Sequence, residues 1–176
     1  MKVSSIIAVV LFVVSAMSCD SDSAPGEVQL VPVDRTASGS VTLGPEEGFL
    51  VAGATFQRVG VASTAGSDLL AFKAGTSLQL KPGHPDGRLV VNQPEGGMPT
   101  RTANLDEVPY EAPSTMATAA FLGNPKVGYS FTLLANGTDG YGRFRVTEEP
   151  DANLGADGIR VTLEYDVTWT ELVPAD

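Results

Sequence analysis

Cys19 is the only cysteine and His84 the only histidine of this chain, and those two counts bound the chemistry it can carry. One thiol forms no intramolecular disulfide. A single imidazole and a single thiol do not make a His- or Cys-rich zinc site. A Ser-His-Asp triad would have to use His84, and no G-x-S-x-G turn is present to present a serine. His84 lies between Gly83 and Pro85 in the turn-rich stretch 82–87, so an exposed turn histidine is favoured over a ligand or base. Glu148, Glu149, Asp151 and Asp157 offer oxygens to calcium, but their spacing lacks the alternation and terminal Glu of an EF-hand loop. Acids, Asn and Gly also fill ordinary solvated loops, which is the favoured reading of 148–158. No spacing pairs two carboxylates for glycoside hydrolysis. A carboxylate-based extracytoplasmic hydrolase therefore stands as an alternative only. Asn136-Gly137-Thr138 fits the N-glycosylation pattern and reads first as a hairpin loop. No phosphate-binding loop or dinucleotide fingerprint is present.

The surroundings of Cys19 give its thiol a specific chemistry. Lys2 supplies a positive start, and residues 6–14 are an unbroken apolar run. That run is too short for a stable membrane span and is followed by small residues, the pattern of a signal peptide. Ala16-Met17-Ser18-Cys19 resembles a bacterial lipobox, with Ala16 where Leu is commonest and Met17 larger than usual. Residues 1–18 are thus read as a lipoprotein signal peptide and Cys19 as the acceptor of palmitate-type acyl chains. Two or more chains give firm anchoring. Residues 19–26 are polar and contain Pro25 and Gly26, the composition of a flexible tether. The expected place is the cell envelope, outside the cytoplasm, with the choice of membrane left open.

Residues 27–176 are long enough for one core. The formal charge of −10 becomes about −11 once Lys2 is removed. Phosphate neutralisation needs clustered Lys and Arg, so no nucleic-acid partner is expected. Anionic headgroups would repel the domain, leaving the lipid anchor as the membrane contact.

Strand patterns run through the domain. Residues 27–33 and 40–43 are short candidates, and 49–61 is a longer run broken by Gly53 and Gly60. Residues 69–72 and 76–80 flank Gly75, a candidate bulge or bend, and 88–91 follow a turn. From 93 to 115 the chain carries Pro94, Gly96, Gly97, Pro99, Pro109 and Pro113, which no helix or central strand tolerates. A loop that long is functional or a surface crossing. Residues 128–134 and 141–147 face each other across Asn-Gly and Asp-Gly, a hairpin signal. Ile159, Val161, Leu163, Tyr165, Val167 and Trp169 then occupy every second position, a strand with one buried and one wet face. The expected class is all-β, an antiparallel β-sandwich or partly open barrel, with a long irregular loop and no major helix.

Three of these segments, 129–132, 140–146 and 159–165, resemble the C-terminal strands of HmuY-like lipoproteins. Residues 67–72 are similar to that family's "WDlaF" strand without its Trp, and 105–113 to the segment before its last hairpin. The resemblance covers about the last two-thirds of the domain. It implies an all-β domain on a lipid anchor, and its best-known members capture haem through His or Met side chains on loops. Met98, Met116 and His84 are the candidate cofactor-binding residues on that basis. Met98 and Met116 bracket the 93–115 loop, but gap-filling is the usual role of Met, and the acidic charge opposes haem propionates. Weak or no haem binding is therefore expected. The favoured function is a non-catalytic, lipid-anchored binding domain for an unidentified small molecule or protein. Haem capture and a carboxylate hydrolase are its rivals, with a purely structural envelope component as a third.

Overall fold

The computed structural model describes residues 28–58, 66–93, 97–109, 118–135, 140–151 and 159–175. They form β1 (Leu30–Leu43), β2 (Glu47–Leu50), β3 (Thr55–Arg58), β4 (Leu69–Ala74), β5 (Ser77–Pro82), β6 (Arg88–Val91), β7 (Thr118–Ala119), β8 (Leu122–Gly123), β9 (Ser130–Leu134), β10 (Tyr141–Glu148) and β11 (Val161–Pro174). Two antiparallel sheets result, ordered β1-β11-β10-β9-β6-β7 and β3-β2-β4-β5-β8. Neither sheet closes on itself, so the all-β expectation resolves to a sandwich rather than a barrel. The helical content among the described residues is one 3-10 turn, Leu105–Glu107. No helix among them is long and apolar enough to cross a membrane.

The alternation read in the C-terminal third builds the larger sheet. Val161, Leu163 and Val167 are fully buried, while Thr162 and Glu164 between them are half-buried on the opposite face. Phe144 and Val146 of β10 and Phe131 and Leu133 of β9 continue that buried layer. It meets Phe49, Leu69, Ala71, Leu78 and Leu80 of the second sheet in one hydrophobic cluster. Phe144 stacks on Phe131 at 5.1 Å between centroids and takes an edge contact from Phe49 at 5.8 Å, so aromatic rings join the two layers. Tyr165 and Trp169, placed by the pattern on the same face, are only partly buried against the cluster.

Three expected segments take a different form. The separate candidates 27–33 and 40–43 are one strand, β1, paired with β11 without a break from Leu30↔Pro174 to Leu43↔Val161. The intervening residues 34–36 and 38–40 are exposed, so an edge strand here shows no apolar alternation to read. The described part of the run 49–61, up to residue 58, folds back as the β2–β3 hairpin, its turn using Gly53 at φ 79°. Gly75, read as a bulge or bend, is the bend: at φ 64° it closes a tight β4–β5 hairpin.

The ladder of β1 has a definite sidedness. Ala175 N donates to Gln29 O at 2.7 Å in register with the strand pair. Hydrogen-bonded pairs recur every second residue, so odd-numbered residues of β1 bond β11 and even-numbered ones aim their backbone groups away. Arg160 Nη2 donates to the outward Thr42 carbonyl at 3.3 Å, as that parity requires. Pro32 and Pro174 both fall at positions whose missing N–H would face an open edge, where proline is tolerated. Strand β10 pairs with β11 only between Thr162 and Thr168. Beyond it, Leu30–Arg35 and Trp169–Pro174 continue as a two-stranded ribbon of about 20 Å.

Candidate functional site

The outer face of the six-stranded sheet is built by cross-strand rows. Register places Ser38, Asp166, Arg143 and Thr132 side by side, and next to them Ser40, Glu164, Arg145 and Ser130. Cations of β10 thus lie beside carboxylates of β11, a favourable cross-strand pairing. Arg143 donates through Nε (3.1 Å) and Nη2 (2.9 Å) to Asp166 Oδ2, and Ser38 Oγ donates to Asp166 Oδ1 at 3.0 Å. Arg145 Nη1 reaches Glu164 Oε2 at 3.5 Å.

The segment expected as a loop, in its described part 97–109, is a strap laid over this face. Arg143 Nη1 donates to Val108 O at 3.3 Å, Arg145 Nε to Thr102 O at 2.9 Å, and Thr132 Oγ1 to Pro109 O at 3.0 Å. Leu105 and Val108 are buried beneath it. Of the buried polar residues beneath it, Thr132 bonds the strap and Ser130 Oγ accepts from Asn92 Nδ2 at 3.4 Å, and no described buried side-chain N or O lacks a partner. Within the strap, Glu107 Oε2 accepts from Ala103 N at 3.0 Å, which closes the 3-10 turn from its own start.

Between the strap and the β1–β11 half of the face lies an open trough of ≈ 770 Å³, lined by Ser38, Ser40, Asn104, Asp106, Arg143, Thr147, Glu164 and Asp166 together with Gly39, Leu105 and Tyr165. Asp106 and Asp166 both approach Arg143 Nη2, at 3.1 and 2.9 Å. The single guanidinium charge is shared by two carboxylates, so the trio stays net negative, and the lining offers hydroxyl, amide and carboxylate groups to a ligand. Sequence reasoning missed this cluster. Its trace was present as Arg143-x-Arg145 and Glu164-x-Asp166, alternate charges on two strands whose register was not yet known.

Other candidates are dispersed. His84 sits half-exposed in the turn after β5, its Nδ1 accepting from Asp86 N at 3.2 Å, over a hollow of ≈ 690 Å³ shared with Arg88 and Thr118. Met98 is 76% exposed and follows the far end of β6, so that strand separates it from His84. Met116, Cys19, the tether, Asn136 and most of the acidic run lie outside the described residues. Among described residues, no three His, Cys, Asp or Glu side chains gather as a metal set. At the start of that acidic run, Glu149 accepts from Lys126 Nζ (3.3 Å) and Val127 N (3.4 Å). The Lys126 hydrogen bond first, and that backbone bond second, hold its carboxyl below the ordinary value of 4.5. Glu47, 6% exposed, takes Gly44 N at 2.7 Å and Arg160 Nη2 at 2.6 Å, pinning the crossover from β1 to β2.

The fold defines the class of protein as an antiparallel β-sandwich. Compared with protein-family models, curated proteins and solved structures, the chain finds no match.

Proposed function

We propose that this chain is a non-catalytic, lipid-anchored extracytoplasmic binding domain of the HmuY-like type. The observation that carries the reading is Cys19, the lone thiol directly after an apolar run of signal-peptide length. The sandwich supports it by starting at Leu30, a short tether's length beyond that cysteine. The strapped trough supports a binding role, its Asp166 and Arg143 groups being held by neighbours before any ligand arrives. The chemistry of its lining favours a neutral or cationic polar ligand over an anionic one, given the overall charge of −10.

Labelled fatty acid fed to expressing cells should enter the wild-type protein and not Cys19→Ala, and only the former should partition with membranes. Equal labelling of both would remove the lipoprotein reading. Purified protein titrated with haemin, oxidised and reduced, should show no sharp one-equivalent Soret change. A saturable change lost in Met98→Ala or Met116→Ala would make haem capture the function instead.

A further inference from the structure

We propose that the open edge of β1 pairs with the same edge of a second copy of this chain, making an antiparallel dimer with its two-fold axis at Ala37. The inference goes beyond the lipoprotein reading and does not depend on it. Strand β1 is 14 residues long and paired along its whole length with β11, yet no described strand pairs with its other side. Long flat edges attract other strands, and proteins usually blunt them with bulges, prolines, charges or a covering segment. Register along β1 shows no bulge. The edge is blunted only toward its ends, by Pro32 on one side and by Arg160 on the Thr42 carbonyl on the other. Between those stops Asp34, Thr36, Ser38 and Ser40 aim backbone donors and acceptors outward.

The midpoint of that open stretch is Ala37. Antiparallel pairing about it sets Thr36 against Ser38 and Asp34 against Ser40 of the other copy, each pair exchanging both backbone bonds. On the alternate face it sets Ala37 against Ala37 and Arg35 against Gly39. No like charges meet, and the residue on the axis is small enough for the non-bonded pair spacing. A chain with formal charge −10 repels its copy, and within the open stretch 34–40 the charged residues are one acid, Asp34, and one base, Arg35, the latter already paired with Glu171. The contact is one strand wide, so the dimer is weak, with dissociation in roughly the micromolar to millimolar range expected of small interfaces. Screening by salt removes the long-range repulsion, so association strengthens as ionic strength rises.

The test uses full-length protein carrying Cys19→Ala, held in mild detergent, with one new thiol at a time. Ala37→Cys places two sulfurs across the axis and should give disulfide-linked dimer on mild oxidation. Ser40→Cys, on the same edge but opposite Asp34, should cross-link at least about tenfold more slowly. Adding Ser38→Pro, which removes an outward N–H and no β1–β11 backbone bond while losing the Ser38 Oγ–Asp166 Oδ1 contact, should cut Ala37→Cys cross-linking by a similar factor. Equal rates at positions 37 and 40, indifference to Ser38→Pro, or a chain that stays monomeric because its edge serves a different protein would each overturn the proposal.

Discussion

Phe144 and Trp169 share one apolar register but carry different shares of the core. Phe144 is fully buried between Phe131 and Phe49, whereas Trp169 lies half-buried where the ribbon leaves the sandwich. Phe144→Ala should cost about 3–5 kcal/mol in denaturant unfolding, and Trp169→Ala only about 1–2 kcal/mol. Thr168→Ala, which loses one exposed bond to Arg35 O, should stay below about 1 kcal/mol. A Trp169 loss as large as that of Phe144 would show the ribbon packed rather than projecting. Glu149 gives a pH test. Its carboxyl is held down by Lys126, so its contribution is present above the unfolded value and lost as pH falls through the folded one. Urea midpoints of wild type and Glu149→Gln should differ at pH 7 and converge as pH falls below the lowered folded-state value. Sequence showed Phe144 as apolar in a strand but not Glu47 with Arg160, because their pairing spans 113 positions and no local pattern encodes it.

Among the elements, the strap depends most on a single side chain. Arg143 is 16% exposed and holds Val108 O, Asp106 and Asp166 together. Arg143→Met should destabilise by about 2–4 kcal/mol, since Asp166 is left half-enclosed with only Ser38. Amide exchange at Leu105 and Val108 should rise more than at Phe131; a uniform rise would mean that the strap is held by other contacts. Hairpin β9–β10 was legible from Asn-Gly and Asp-Gly between apolar runs, whereas the β4–β5 hairpin showed only as Gly75, a bulge or bend, between two strand runs; the lack of a strand or α-helix over 97–109 was legible from its Pro and Gly. That this stretch lies flat on the sheet was not legible. Its contacts are arginines of β10 reaching backbone carbonyls, and a carbonyl carries no residue signature. Strand β1 was read only at its ends, because alternation marks burial and its middle has little.

For the whole molecule, charge and shape act together. At −10, self-repulsion works against the compact state, while the exposed ion pairs Arg35–Glu171 and Lys126–Glu149 offset little of it because solvent screens them. Raising salt from about 0.01 to 0.15 M should therefore raise the urea midpoint, the screened repulsion outweighing the weakened pairs. A falling midpoint would mean that the ion pairs dominate.

The ribbon of β1 and β11 also fixes how the domain bears load. If the chain is held at Cys19, as proposed, a pull on the folded body enters at Leu30 and runs along β1. Every β1–β11 bond, from Leu30↔Pro174 to Leu43↔Val161, is then loaded in shear, and the bonds resist together. Pulling the two termini apart at the ribbon's end would peel the same bonds one at a time. In a single-molecule stretching experiment the first direction should therefore yield at a higher force than the second. A domain tethered at that end is mechanically strongest along the axis on which a membrane would hold it.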